Sequence, residues 1–218
     1  MKIALLALLA CDVARAHAES YSLDIGSHVR ALGDTSAAIV ASDALAGSRV
    51  TIGRSLTTVA TPWRDIDVGL FARWVFARVD GAMFRDLQSN LTQHALTAGV
   101  RLDATLWWRL RGVAQAELGM ARTALAVTDS RMMVPVDDHG WAPYGTATLG
   151  SELGLHESAR FRLAIGVDVG YTITAPVELR ALPRDRPDPD LAIDTDYASI
   201  GTLDTRGWTF SMALRGTL

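Results

Sequence analysis

The chain has 218 residues, 49% of them hydrophobic, and a formal net charge of −3. That length suits a single domain of ordinary size, and mild acidity without a basic stripe argues against a nucleic-acid partner. No run of about 18 or more apolar residues follows the N-terminus, which argues against a spanning α-helix.

The opening stretch, MKIALLALLACDVARAHAES, reads as a secretory signal. Lys2 is a minimal positive n-region, residues 3–10 are the apolar h-region, and Ala16 and Ala18 bracket His17 as an A-x-A site. Cleavage after Ala18 is expected, which makes residues 1–18 the signal and 19–218 one mature domain. The mature chain then has no cysteine, hence neither disulfides nor thiol chemistry. LLAC before Asp12 also resembles a lipobox, which would lipidate Cys11 after an unusually short signal.

A period of two governs the mature chain and predicts eight strands. Residues 21–31 set Tyr21, Leu23, Ile25 and Val29 against Asp24, Gly26, His28 and Arg30. Residues 48–59 offer Val50, Ile52 and Leu56. Residues 67–79 set Val68, Leu70, Ala72, Trp74 and Phe76 against Asp67, Gly69 and Arg73. Residues 93–107 place His94, Leu96, Val100, Leu102 and Leu106 on one side, with Thr97, Gly99, Arg101 and Asp103 on the other. Residues 110–123 oppose Leu110, Leu118 and Met120 to Arg111, Gln115 and Glu117. Residues 144–155 oppose Leu149, Leu153 and Leu155 to Thr146, Thr148 and Glu152. In RFRLAIGVDVGYTITA, residues 160–175, Phe161, Leu163, Ile165, Val167, Val169, Tyr171 and Ile173 alternate with Arg162, Gly166, Asp168 and Thr172. Residues 207–218 set Trp208, Phe210, Met212, Leu214 and Leu218 against Ser211 and Arg215.

The connections alternate in length. Short ones fall at 60–66, around Trp108 and Arg109, and at 156–160; long ones fall near 32–47, 80–92, 127–141 and 175–206. The last contains LPRDRPDPDLAIDTD, where prolines and acids leave no strand. Eight antiparallel strands with short turns at one end and long loops at the other describe an all-β up-and-down barrel.

Side-chain size decides which face is inside. The interior of an eight-stranded barrel is just filled by side chains. The polar face is mostly Gly, Ala, Thr and Ser punctuated by charge, whereas the other carries Leu, Ile, Phe, Trp and Met. Small groups suit a crowded lumen and bulky ones suit lipid, so the apolar face is expected outside. The lumen then receives Arg30, Arg73, Arg101, Arg111, Arg162 and Arg215 against Asp24, Asp67, Asp103, Glu117, Glu152 and Asp168. Buried charges persist when paired, so a neutral, salt-bridged plug is expected rather than an ion-selective pore. Aromatic residues sort by height: Tyr21, Trp63, Trp107, Trp108 and Phe161 at the short-turn end, and Trp74, Phe76, Trp141, Tyr144, Tyr171 and Trp208 at the other. Of these, Trp63, Trp107, Trp108, Trp141, Tyr171 and Trp208 are the expected girdle of a membrane barrel.

The final strand, GWTFSMALRGTL, looks like that of a bacterial outer-membrane β-barrel. Its alternating apolar residues resemble the signal read by the barrel assembly machinery, although the family usually ends in Phe or Trp and this chain in Leu218. With the N-terminal signal, the chain resembles the small OmpA/OmpX-like eight-stranded class over essentially its whole mature length, in architecture rather than by a tight motif. No peptidoglycan-binding domain is evident after the barrel. The resemblance implies an antiparallel transmembrane barrel in the outer membrane. It also implies outer-membrane lipid, lipopolysaccharide and the barrel assembly machinery as partners.

Arg54 conflicts with this scheme, since it falls on the lipid face of its strand, where a mid-bilayer arginine costs about 2–4 kcal/mol; a bulge at Gly53 would turn it aside. Arg78 and Arg122 also face outward, but near the long-loop end, where anionic head groups lie. Little in the sequence speaks for chemistry. His28, His94, His139 and His156 make no metal-ligand spacing, and no G-x-S-x-G is present. DDHG at 137–140 reads as a solvated loop. Asp188, Asp190, Asp194 and Asp196 lack the Gly and Glu of an EF-hand loop. No cofactor, metal or catalytic residue is implied. The expected function is therefore a non-enzymatic integral barrel with long surface loops, serving envelope integrity or surface contact. The alternatives are a lipid A-modifying enzyme using an outward His94 as base, and a soluble periplasmic barrel binding an apolar ligand.

Overall fold

The computed structural model describes residues 14–15, 20–33, 36–37, 40, 42–61, 64–83, 87–129, 135–158, 160–180 and 199–218. Its strands are β1 (Tyr21–Ala31), β2 (Ala44–Ala60), β3 (Asp65–Met83), β4 (Leu87–Trp107) and β5 (Leu110–Asp129). They continue as β6 (Pro135–Glu157), β7 (Arg162–Thr174), β8 (Val177–Arg180), β9 (Ser199–Leu203) and β10 (Gly207–Thr217). β1 to β7 and β10 form a closed antiparallel ring in which each strand pairs with its sequence neighbours and β10 returns to β1. The seam is paired down to Tyr21 and Leu218, whose backbone N–H groups donate to one another's carbonyls at 3.1 and 2.9 Å. Closure leaves the eight-stranded wall no free edge.

The alternation dictates the faces as expected. Val167 is 54% exposed, whereas the side chain of Asp168 next to it is 9% exposed. Leu96, Leu118, Leu149, Ile173 and Phe210 likewise point out, and Asp24, Arg73, Arg101, Glu117 and Glu152 are buried inside. Inward glycines make room for the large polar groups: a Cβ on Gly166 would lie 3.0 Å from Glu152 Cγ, and one on Gly99 would lie 2.8 Å from Glu117 Cβ.

Two of the four expected long loops are strand instead. β3 runs to Met83 and β4 starts at Leu87, with Asp80 opposite Asn90. β5 runs to Asp129 and β6 starts at Pro135, with Ala126 opposite Asp137. The reason lies in where the apolar side chains point. Above the Trp74, His94 and Trp141 level the alternation continues with its polarity reversed. Arg78, Asp80 and Asp137 now face out, while Ala77, Leu91 and Leu125 are fully buried inside. They form a second, dry core with Val40, Leu45, Ala142, Val177, Leu179 and Leu203. The 32–47 connection is shortened as well, because β2 begins at Ala44, and Leu32 donates its N–H to the Asp43 carbonyl at 2.9 Å. The 175–206 connection carries the β8–β9 hairpin. LPRDRPDPDLAIDTD and its four named aspartates lie outside the described residues, as do Cys11 and the A-x-A site.

At the opposite end the turns are short. Trp108 and Arg109 form the two-residue turn between β4 and β5, with Trp108 at φ 24°. Ala14 and Arg15 pair with Val59 and Thr58, on the stretch of β2 that runs past the start of β1.

Candidate functional site

The lumen is the densest concentration of chemistry, and it is layered. Nearest the short-turn mouth, Arg111 Nη1 lies 3.5 Å from Asp67 Oδ2, both side chains about one-third exposed (30% and 35%). Thr58 donates its hydroxyl to the same carboxylate at 2.6 Å. Arg162, also at this end, is partly buried, with its Nε lacking a hydrogen-bond partner among the described residues.

The next layer is a cluster of two guanidiniums and three carboxylates. Arg101 donates to both oxygens of Asp103 at 2.7–2.9 Å and to Glu152 Oε1 at 2.5 Å, and its Nη1 lies 3.8 Å from Asp24. Arg215 approaches the same three acids, Asp24 and Glu152 at 3.5 Å and Asp103 at 3.8 Å, and donates to Ser22 Oγ at 3.1 Å. These five side chains come from β1, β4, β6 and β10, so the cluster ties opposite walls of the ring together.

Above it stand two separate pairs. Arg49 donates to both oxygens of Asp168 at 3.2 and 2.5 Å and to Ser211 at 2.7 Å. Arg73 donates to Glu117 at 3.1 Å, Gln115 at 2.6 Å and Thr51 at 2.9 Å, and stacks 4.8 Å over the Phe71 ring. Such charge-assisted contacts offset the cost of removing the ions from water only when most donors find partners. Arg49 is absent from the charges assembled from the sequence, although its place between the outward Val50 and Ser48 marks it as inward. It adds a seventh guanidinium to the six anticipated, so that set is not the balanced one expected.

The uppermost cation is Arg30, fully buried and without a carboxylate partner among the described residues. It donates instead to Gln93 Oε1 at 2.7 Å, Tyr144 Oη at 2.8 Å and the Thr205 carbonyl at 3.3 Å, and lies 5.1 Å over the Tyr144 ring. Tyr144 is thus a lumen residue and not part of the girdle; its even parity with Thr146 and Thr148 turns it inward. His28 sits beside this layer, buried, with both ring nitrogens unpartnered among the described residues. Around these groups run hydroxyl chains, Thr146 with Thr172 and Thr172 with Thr209, at 3.0 and 2.9 Å. Two voids interrupt the lumen packing, of about 30 Å³ beside Asp24, Asp67 and Arg101 and about 10 Å³ beside Arg49, Glu152 and Asp168.

The girdle residues divide by end. Trp107 and Trp108 project at the short-turn end with Arg109 stacked 4.6 Å over Trp108. Trp141, Tyr171 and Trp208 project at the other, the last two packed edge-to-face at 5.6 Å. Trp63 lies outside the described residues. Arg54 remains on the outer face, level with Tyr21 in register and 5.7 Å over its ring. It therefore stands at the level of Tyr21 near the short-turn end rather than mid-wall, and the strand irregularity falls between Ser55 and Thr57, not at Gly53.

No family model matches the chain, and no curated protein matches it. Solved structures do. Neisserial surface protein A aligns over 93% of this chain and 99% of its own, with a TM-score of 0.51 and 8% identity. A major outer membrane protein from Thermus thermophilus aligns over 92% and 99%, with a TM-score of 0.52 and 10% identity. Ail, the attachment invasion locus protein of Yersinia pestis, aligns over 93% and 100%, with a TM-score of 0.48 and 11% identity. The first two, with the closed ring described above, show that the chain has the fold of the small eight-stranded outer-membrane β-barrels.

Proposed function

We propose that this chain, with the fold of the small outer-membrane barrels, is a non-enzymatic integral protein of the outer membrane. In this reading its lumen is closed by ion pairs, and its tall, strand-built end serves envelope integrity or surface contact. The observation that carries the reading is the inversion of the barrel: Leu96, Leu118, Leu149 and Ile173 exposed, with Arg73, Arg101, Glu117 and Glu152 buried. In water that outer face would be a large aggregation-prone surface; in lipid it is the solvated one. Closure satisfies the backbone of the wall, as a bilayer requires. The lumen voids beside Asp24 and beside Arg49 have room for no more than a few water molecules, which supports a lumen closed by ion pairs. This reading entails lipid and lipopolysaccharide around the girdle, and the barrel assembly machinery as the partner that inserts β10.

The soluble alternative conflicts with the apolar exterior. The enzymatic one has less support than the sequence suggested. The His94 ring packs against Phe76 at 5.0 Å and Trp74 at 6.0 Å, and its cross-strand neighbours are Phe76 and Arg122, neither a nucleophile nor an acid. The test is fractionation of the full chain. It is expected in the membrane pellet after carbonate washing, with heat-shifted migration on SDS gels and negligible conductance in planar bilayers. Recovery in the wash would end the membrane reading, and a steady wild-type conductance would end the closed lumen. Lipid A composition is expected to be the same with and without His94→Ala; a difference by mass spectrometry would restore the enzyme.

A further inference from the structure

We propose that the outer wall over β4, β5, β6 and β7 holds a specific site for a phosphate-bearing, acylated lipid of the outer leaflet, one acyl chain in a groove along β5 and the phosphate on Arg122. The site rests on the membrane reading above. Successive outward positions on β5 are Gly112, Ala114, Ala116, Leu118, Met120 and Arg122. Ala116 is opposite Ala147 on β6, and Leu118 is opposite Gly145. On the other side Leu118 is opposite Ala98 on β4. The small side chains make a floor, while Val100, Leu118, Tyr171 and Ile173 stand around it as walls. Two grooves result, of about 1070 and 450 Å³, which share Val100, Ala116, Ala147 and Tyr171 and so run into one another down the wall. Leu149 and Val169 line the smaller groove, and Leu96 presents bulk beyond both.

Charge selects the occupant. Arg122 lies two outward positions above Leu118, past Met120 and just beyond the groove's tall end at Pro143, exposed and without an acidic partner among the described residues. Two further exposed arginines at this end are already paired, Arg78 with Asp80 at 3.0 Å and Arg206 with Asp204. The cross-strand neighbours of Arg122 are His94 and Trp141, both at the girdle. The outward carboxylate Asp137 is opposite Ala126, four residues further along β5. A guanidinium at head-group depth binds phosphate through two parallel hydrogen bonds, and an indole beside it suits the same interface. A second copy docked two-fold on this face would bring another Arg122 to the same depth, like charge facing like.

Native mass spectrometry of the full chain in detergent, with bisphosphoryl lipid A as the probe, tests the site. A one-to-one adduct is expected for wild type. Arg122→Gln is expected to weaken it about tenfold, the loss of a hydrogen bond to a charged group. The double change Ala116→Leu and Ala147→Leu, which fills the floor, is expected to abolish it. Both variants alter only the lipid face; should the double variant lose its heat-shifted band, Ala147→Val is the narrower replacement and is expected to weaken the adduct. Three outcomes would overturn the site: equal adducts with diacylglycerol, which has chains and no phosphate; adducts indifferent to both changes; or a wild-type dimer that the double variant disperses. A chain absent from the membrane pellet fails the membrane reading, whereas a membrane-embedded chain without phosphate-dependent adducts fails this site alone.

Discussion

Arg101 holds Asp103, Glu152 and Asp24 at once, in a lumen where none of the four side chains is more than 11% exposed. Removing one partner of a buried ion cluster costs more than the cluster contributes, because the remaining charges stay buried and unpaired. Arg101→Gln is therefore expected to lower the unfolding free energy of the barrel in detergent by about 3–5 kcal/mol, and Glu152→Gln in the same chain to restore part of it. Urea unfolding followed by tryptophan fluorescence measures both; an Arg101→Gln barrel as stable as wild type would mean the cluster is already hydrated. The spacing of these residues along four strands was legible one strand at a time. That Arg101 and Arg215 share three acids was not, because the sharing is set by the stagger of strands around the ring. Arg30 makes the same point in the opposite sense: its inward parity was readable, but its neutral partners Gln93, Tyr144 and Thr205 come from β4, β6 and the segment before β10.

Among the elements, the β3–β4 and β5–β6 hairpins differ most from expectation. Their upper halves read as loops because the outward residues turn polar there, as in Arg78, Asp80 and Asn90. The inward ones turn apolar at the same height, so the strands keep a reason to pair above the apolar outer band. Val40, Leu45 and the apolar side chains of β8 and β9 pack into that interior, with the Val40 carbonyl accepting from Ser89 Oγ at 3.2 Å. Leu125→Ala is expected to cost about 2–5 kcal/mol of local stability, as a buried leucine truncation does. Limited proteolysis should then cut the tall end faster while the heat-shifted barrel band persists; loss of both together would show the cap and barrel unfold as one. Beyond the girdle, the Arg78 guanidinium, aided by Asn90, holds the Asp80 carboxyl below its usual range. That small, solvent-screened contribution is present above the ordinary carboxylate pKa of 3.8 and fades as pH falls through the lowered value. At the other end, Trp108 adopts a positive φ that a bulky residue rarely takes, where a tight hairpin would ordinarily place Asn or Gly.

As a whole the molecule is a cylinder whose polarity reverses along its axis. Below the level of Trp74 and Trp141 its wall is greasy outside and ionic inside; above that level it is polar outside and greasy inside. The reversal predicts a depth-dependent cost for charge on the outer face. Val167→Arg, in the middle of β7's outward row, is expected to destabilise the barrel by about 2–4 kcal/mol, whereas Ala124→Arg, beyond Arg122 on β5, is expected to cost about 0–1 kcal/mol. Refolding into phospholipid vesicles measures the contrast, and equal costs at the two depths would contradict the placement of the wall in lipid.

By itself the sequence determined what is periodic: eight strands, their closure into an up-and-down ring, the face that each of Ile165, Val167 and Asp168 takes, and the ends at which aromatic residues gather. Such properties follow from a two-residue repeat, in which neighbours along one strand decide which side is which. Only the tertiary structure decided which charges meet, how far the strands continue past the apolar outer band, and that Ala116 and Ala147 fall side by side, with Ala98 diagonal to Ala116, as the floor of a groove. These depend on the stagger between strands and on segments folding back over the ring. Residues far apart in the chain set them jointly, so no single stretch encodes them.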